Sequence, residues 1–258
     1  MRLMKRILSA AAVLALSAPL LVGCSSGTAS SVPVSASSAA ESTVSSVEET
    51  ASSAVDENEA AAAQLLNDLT GSYQELWPVI LADEYKQTWL DDCTALVGED
   101  NAEAAFEKLS SMVTGDVYGE DAVKAYANGG GAYFCGFTNS LAILTFDGET
   151  STISGTDKDG NVLFSHTYHY IGMEPVRGLY EFESDDADSG EFTYFFLAPD
   201  TSAETYHIEF RYGSDADALS QYDAGDYAYW LASGISTDCD QTMIDNCIKL
   251  FCTENLAG

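Results

Sequence analysis

The stretch LAILTFDGETSTISGTDKDGNVLFSHTYHY, residues 141–170, decides how this chain folds. Short runs rich in β-branched and aromatic residues are separated by Asp147-Gly148 and by Asp159-Gly160-Asn161, the turn chemistry of tight hairpins. Strands are therefore expected at Leu141–Phe146, Thr150–Ser154 and Val162–Tyr170. Working outward, the same pattern gives Arg177–Glu183, Phe192–Ala198 and Tyr206–Tyr212 downstream, and Ala132–Phe137 upstream. Consecutive strands joined mostly by short turns predict a closed or nearly closed antiparallel barrel, which removes exposed strand edges.

Upstream of Gly129-Gly130-Gly131 the period changes to that of helices. Leu65, Leu66 and Leu69 share a face over Ala60–Leu69, and Gly71 ends that segment. Trp77-Pro78 opens a second helical segment, with Tyr85, Trp89, Leu90, Cys93 and Leu96-Val97 as its apolar stripe. Asn101–Val113 is a third and Asp121–Ala127 a short fourth. Beyond the last strand, Asp215–Gln221 and an aromatic run (Tyr222, Tyr227, Tyr229, Trp230) lead to a final helix over about Asp238–Thr253. The fold class is thus α+β: N-terminal helices, an antiparallel barrel and a C-terminal helix.

The first residues have a different job. Arg2, Lys5 and Arg6 precede an apolar stretch, Ile7–Val22, that is short for a spanning helix, and Leu21-Val22-Gly23-Cys24 resembles a bacterial lipobox. The expectation is a removable signal over residues 1–23 and a lipid on Cys24, holding the protein outside the cytoplasm on the cell membrane. Twelve serines fall between Ser25 and Ser53 with no aromatic residue, so residues 24–58 are expected to form a tether rather than a core. Residues 59–258 are then one domain, long enough to bury a single core.

The 258-residue chain carries 41 Asp+Glu against 10 Lys+Arg, a formal charge of −31. Removal of the signal takes away three basic residues and no acidic one, giving −34. Such a surface repels nucleic acid and anionic lipid and attracts cations, without making a specific site for them. Asp157, Asp159 and Asn161 read as an acidic turn, because Gly160 is misplaced for a calcium loop, and the acidic run Asp185–Glu191 reads the same way. Five cysteines remain besides Cys24. They allow at most two disulfides in an oxidising compartment, for example Cys93 with Cys135 and one pair among Cys239, Cys247 and Cys252.

Catalytic motifs are missing: there is no G-x-S-x-G, no H-E-x-x-H and no Gly-rich loop between a strand and a helix, so nothing points to an enzyme. The chemistry-bearing residues are the three histidines. His207 and Glu209 are two apart on one expected strand and so share a face, where a nitrogen and a carboxylate suit one divalent ion. His166 and His169, three apart, fall on opposite faces, so only one can join His207.

Four segments carry a resemblance to the ZinT-type zinc-binding domain, the metal-binding lipocalin found also at the C-terminus of some zinc-transporter binding lipoproteins. They are Leu69–Pro78, Val176–Glu183, Phe195–Pro199 and His207–Gly213, in the family's order and with similar gaps. The resemblance implies a lipocalin- or calycin-like barrel that captures zinc or another divalent cation for a metal ABC transporter. In the family three histidines hold the ion. Here His207 matches the first of an H-x-H pair, Glu209 stands at the second, and Phe195 at the third. A third ligand would have to be recruited, and His169 is the candidate. The alternative is a barrel that binds a small organic ligand or a partner protein, with its metal site degenerate.

Overall fold

The structure is a computed structural model, and residues 57–127, 131–199 and 207–257 are described. The expected signal, the lipidation site Cys24 and nearly all of the tether lie outside those residues. No helix among the described residues is long and apolar enough to cross a membrane.

Helix α1 (57–68) is followed by strand β1 (Gly71–Glu75), then α2 (Leu76–Ile80), α3 (Lys86–Val97), α4 (Glu99–Val113) and α5 (Glu120–Tyr126). The strands β2 (Ile143–Asp147), β3 (Thr152–Thr156), β4 (Val162–Met173), β5 (Tyr180–Ser184), β6 (Tyr194–Leu197) and β7 (His207–Gly213) come next. A short α6 (Ala216–Leu219), strand β8 (Ala232–Ser236) and α7 (Gln241–Leu256) complete the chain. The eight strands pair in sequence order into a closed barrel, every pair antiparallel.

The hairpin chemistry acts as its residues dictate. Asp157 accepts hydrogen bonds from the backbone N–H of Asp159 and Asn161 (2.9 and 2.8 Å) and from the Asn161 side chain (2.8 Å), and Gly160 takes φ +82°. At Gly148 the requirement is space: a Cβ there would lie 2.4 Å from Cα of Asn67 in α1.

Closure comes from strands that the sequence pattern hides. Gly71–Glu75, within a region that reads as helical, pairs with β2 on one side and β8 on the other. The expected strand Ala132–Phe137 is not one. Its backbone runs between residues 112–115 and 229–233 instead of joining the barrel ladder, with Phe134 bridged to Thr114 and Trp230. Its polar groups are shared among several elements: Phe134 N–H donates to Tyr229 O, and Phe137 N–H to the Glu75 carboxylate.

Two apolar clusters flank the sheet. The barrel interior holds Phe146, Ile153, Phe164, Phe182, Phe195 and Phe210, among others. The second cluster lies outside, where α2, α3, α4 and α7 pack together through Trp77, Trp89, Leu109 and Ile248 and reach Ile235 of β8. On α7, Ile244, Cys247, Ile248, Cys252 and Asn255 are buried at helical spacing, one face turned inward. Cys93 of α3 meets Cys252 of α7 with sulfurs 3.9 Å apart, so the pairing of Cys93 with Cys135 is not the one the fold offers.

Candidate functional site

Strand parity sets the site. Along β7, Ile208, Phe210 and Tyr212 are buried and belong to the barrel core, so His207, Glu209 and Arg211 project from the outer face. The outer face is covered differently at its two ends. Arg211 is fully buried; its guanidinium donates to the carbonyls of Leu219 and Tyr227 and lies 4.4 Å over the Tyr222 ring. It thereby holds the 215–229 segment against the strand, and burial pulls its pKa below the ordinary arginine value.

At the other end α2 and α7 form a cleft over His207 and Glu209. Both line a cavity of about 340 Å³, open mouth included, together with Trp77, Cys247, Phe251 and Glu254. Glu209 and Trp77 also line an adjoining, more apolar cavity with Tyr133, Cys135, Arg177 and Ser233. The donor types facing the first cavity are an imidazole, two carboxylates and a thiol, a set that suits zinc or a similar divalent ion. Burial pushes the Cys247 thiol up to about 12, and the negative charge of Glu209 adds to the effect. Cys135 is raised for the same two reasons. Without a metal, both thiols are therefore held in the neutral form near pH 7. In this arrangement no three His, Cys, Asp or Glu side chains among the described residues are gathered closely enough to hold a metal ion.

His169 is not brought to this pair. It points outward from β4, its Nδ1 2.7 Å from Asp185 Oδ1. Its register row runs through Glu183 and Tyr194 to Gly213, six residues along β7 from His207 and so roughly 20 Å away at strand rise. His166, on the other face, lies between Phe164 and Tyr168 with Nδ1 2.8 Å from Asp186. Phe195 is inside the barrel, opposite the face that bears His207 and Glu209. Position 195 therefore belongs to the opposite surface of the sheet from His207 and Glu209.

Cys247 and Glu254 were not singled out from the sequence. Their spacing of seven residues, two helical turns, is the signal that places them on one side of α7.

A closed eight-stranded antiparallel barrel, buttressed on one side by helices and carrying a His-x-Glu pair under the last of them, defines the class of this domain. Among solved structures, it is similar to the Zn(II)-bound ZinT-like domain of Streptococcus pneumoniae AdcA, at 15% identity over 71% of this chain and 89% of that one, with a TM-score of 0.45. It is similar also to Zn(II)-bound AdcA from the same organism, at 16% identity and a TM-score of 0.42, over 72% of this chain but 35% of that longer one. No protein-family model matches the chain, and no curated protein does.

Proposed function

We propose that the protein is a cation-capture module held at the cell surface. Cys24 carries its lipid, and the domain takes up zinc or a similar divalent ion through His207 and Glu209 for delivery to a metal transporter. One observation carries the reading: His207 and Glu209 on β7 share a single cavity with Glu254 of α7. Three oxygen and nitrogen donors from two elements are what a divalent site requires. Because they are not gathered around one point, a bound ion would draw Glu254 inward over the strand pair. The acidic surface raises the local cation concentration without choosing the ion. An organic ligand inside the barrel is the less favoured reading, since aromatic rings such as Phe195, Phe210 and Tyr212 stack on each other there.

Isothermal titration of the metal-stripped protein with zinc tests the proposal. Binding in the micromolar range that weakens at least tenfold in His207→Ala supports it. Binding no tighter than about 100 µM, roughly 5.5 kcal/mol, overturns it.

A further inference from the structure

Two buried thiols on different helices are in contact. Cys93 lies on the inward face of α3 and Cys252 on the inward face of α7; both are fully buried, and their sulfurs are 3.9 Å apart. We propose that these residues form a disulfide that staples α7 to α3. The inference is independent of the cation-binding reading.

Closing the sulfurs from contact to a bond of about 2.05 Å is a short movement between two helices that already pack together in one apolar cluster. Cys135 is placed differently, its thiol directed at the Tyr133 carbonyl at 3.8 Å. Cys247 looks onto the cavity beneath α7.

The position of the pair in the chain gives the cross-link its effect. The cysteines are 159 residues apart, and strands β2 to β8 all lie between them. A bond across so long a loop removes much of the freedom of the unfolded chain. It would also fix α7, whose other side presents Glu254 to the cavity.

The chemistry balances with a low-molecular-weight disulfide as oxidant. One cysteine thiolate attacks the oxidant, releasing one thiol and leaving a mixed disulfide. The second thiolate attacks the protein sulfur of that adduct and releases the other thiol. Two protons and two electrons pass from the cysteines to the oxidant. Burial raises the pKa of both thiols, so exchange in the folded state is slow. The bond therefore forms while α7 is docking and is shielded from reductant afterwards.

The test uses the full, unlipidated chain refolded with reduced and oxidised glutathione, alongside a sample kept reduced. The expected results are a loss of two of its six thiols under denaturing titration, a proteolytic fragment joining Cys93 to Cys252, and a Tm higher by roughly 10 °C. In the intact folded chain the bond should resist dithiothreitol until denaturant is added. Cys93→Ala should keep Cys252 as a free thiol and abolish the Tm difference between the two samples. Six titratable thiols after oxidation, or a linkage of Cys93 to Cys135, overturns the proposal. Because the linkage is mapped in the unaltered chain, the test does not depend on the variant folding.

Discussion

Phe195 and Tyr212 are register partners on β6 and β7, and their rings lie 5.3 Å apart and 21° from parallel inside the barrel. Tyr212 continues outward from that contact, accepting from Thr138 N–H at 2.6 Å and donating to Thr138 O at 2.9 Å. The pair fixes which face of β7 is interior. With Tyr212 inside, His207 and Glu209 must be outside.

A histidine placed at 195 should therefore fail to make a metal site. Phe195 is 0% exposed among Phe164, Phe210 and Tyr212. Phe195→His is expected to lower stability by about 3 kcal/mol or more, through lost ring packing and a buried polar group. Zinc affinity should be unchanged in the fraction that remains folded. Urea denaturation and calorimetric titration of the same sample check both halves.

Glu254 should matter for cation binding. It is exposed on α7 yet lines the His207 cavity. Glu254→Gln is expected to weaken zinc binding about tenfold, or roughly 1.4 kcal/mol, as read by calorimetric titration. Equal affinity in the variant would remove α7 from the site.

Arg211 should be irreplaceable by lysine. Its fork donates to two carbonyls, Leu219 O and Tyr227 O, while its plane stacks on Tyr222. A lysine ammonium cannot match that planar geometry. Arg211→Lys is expected to cost about 2 kcal/mol, and Arg211→Ala about 3–5 kcal/mol. Both should speed hydrogen exchange first in residues 215–229, which lose their anchor.

The 157–161 turn should give a pH-dependent signature. Hydrogen bonds from Asn161 and Asp159 hold the Asp157 carboxyl below its ordinary value of 3.8. Its folded pKa is depressed, so its contribution is fully present above 3.8 and is lost as pH falls through the lower folded value. Asp157→Ala should therefore lower Tm at pH 7, and the gap from the parent should narrow in melts run towards pH 2.5. A gap constant from pH 7 to pH 2.5 would contradict the assignment.

Much of the barrel could be read directly. Strands such as β2, β3 and β4 reveal themselves because one face is buried and the connecting turns need Asp-Gly chemistry, features that are local in sequence. β8, Ala232–Ser236, could not be recognised that way. It is buried on both faces and built of small residues, so no alternation survives, and Gly234 lets Ile208 approach to 3.1 Å of where its Cβ would be. β1 was hidden because only Tyr73 of its five residues is buried. Ala132–Phe137 has the right residue types for a strand, but it pairs only through isolated bridges, with residues 112–115 on one side and 229–233 on the other, and so adds no ladder to the barrel.

The site was half legible. His207 and Glu209 declared their shared face by a spacing of two. Which side of the sheet that face occupies, and which helix covers it, depends on partners on other strands and on α7, well beyond the neighbours along β7 itself.

Short-range physics alone therefore settled the acidic character, the helix-then-strand order, the hairpin turns and the pairing of His207 with Glu209 on one face, because each follows from neighbours within a few residues. Only the packed molecule decided that β1 and β8 close the barrel, that Phe195 and His169 stand apart from the pair, and that α7 brings Glu254 to it and Cys252 to Cys93. Those outcomes are set by long-range burial, where one element's apolar face is satisfied by another, and no local spacing encodes which one.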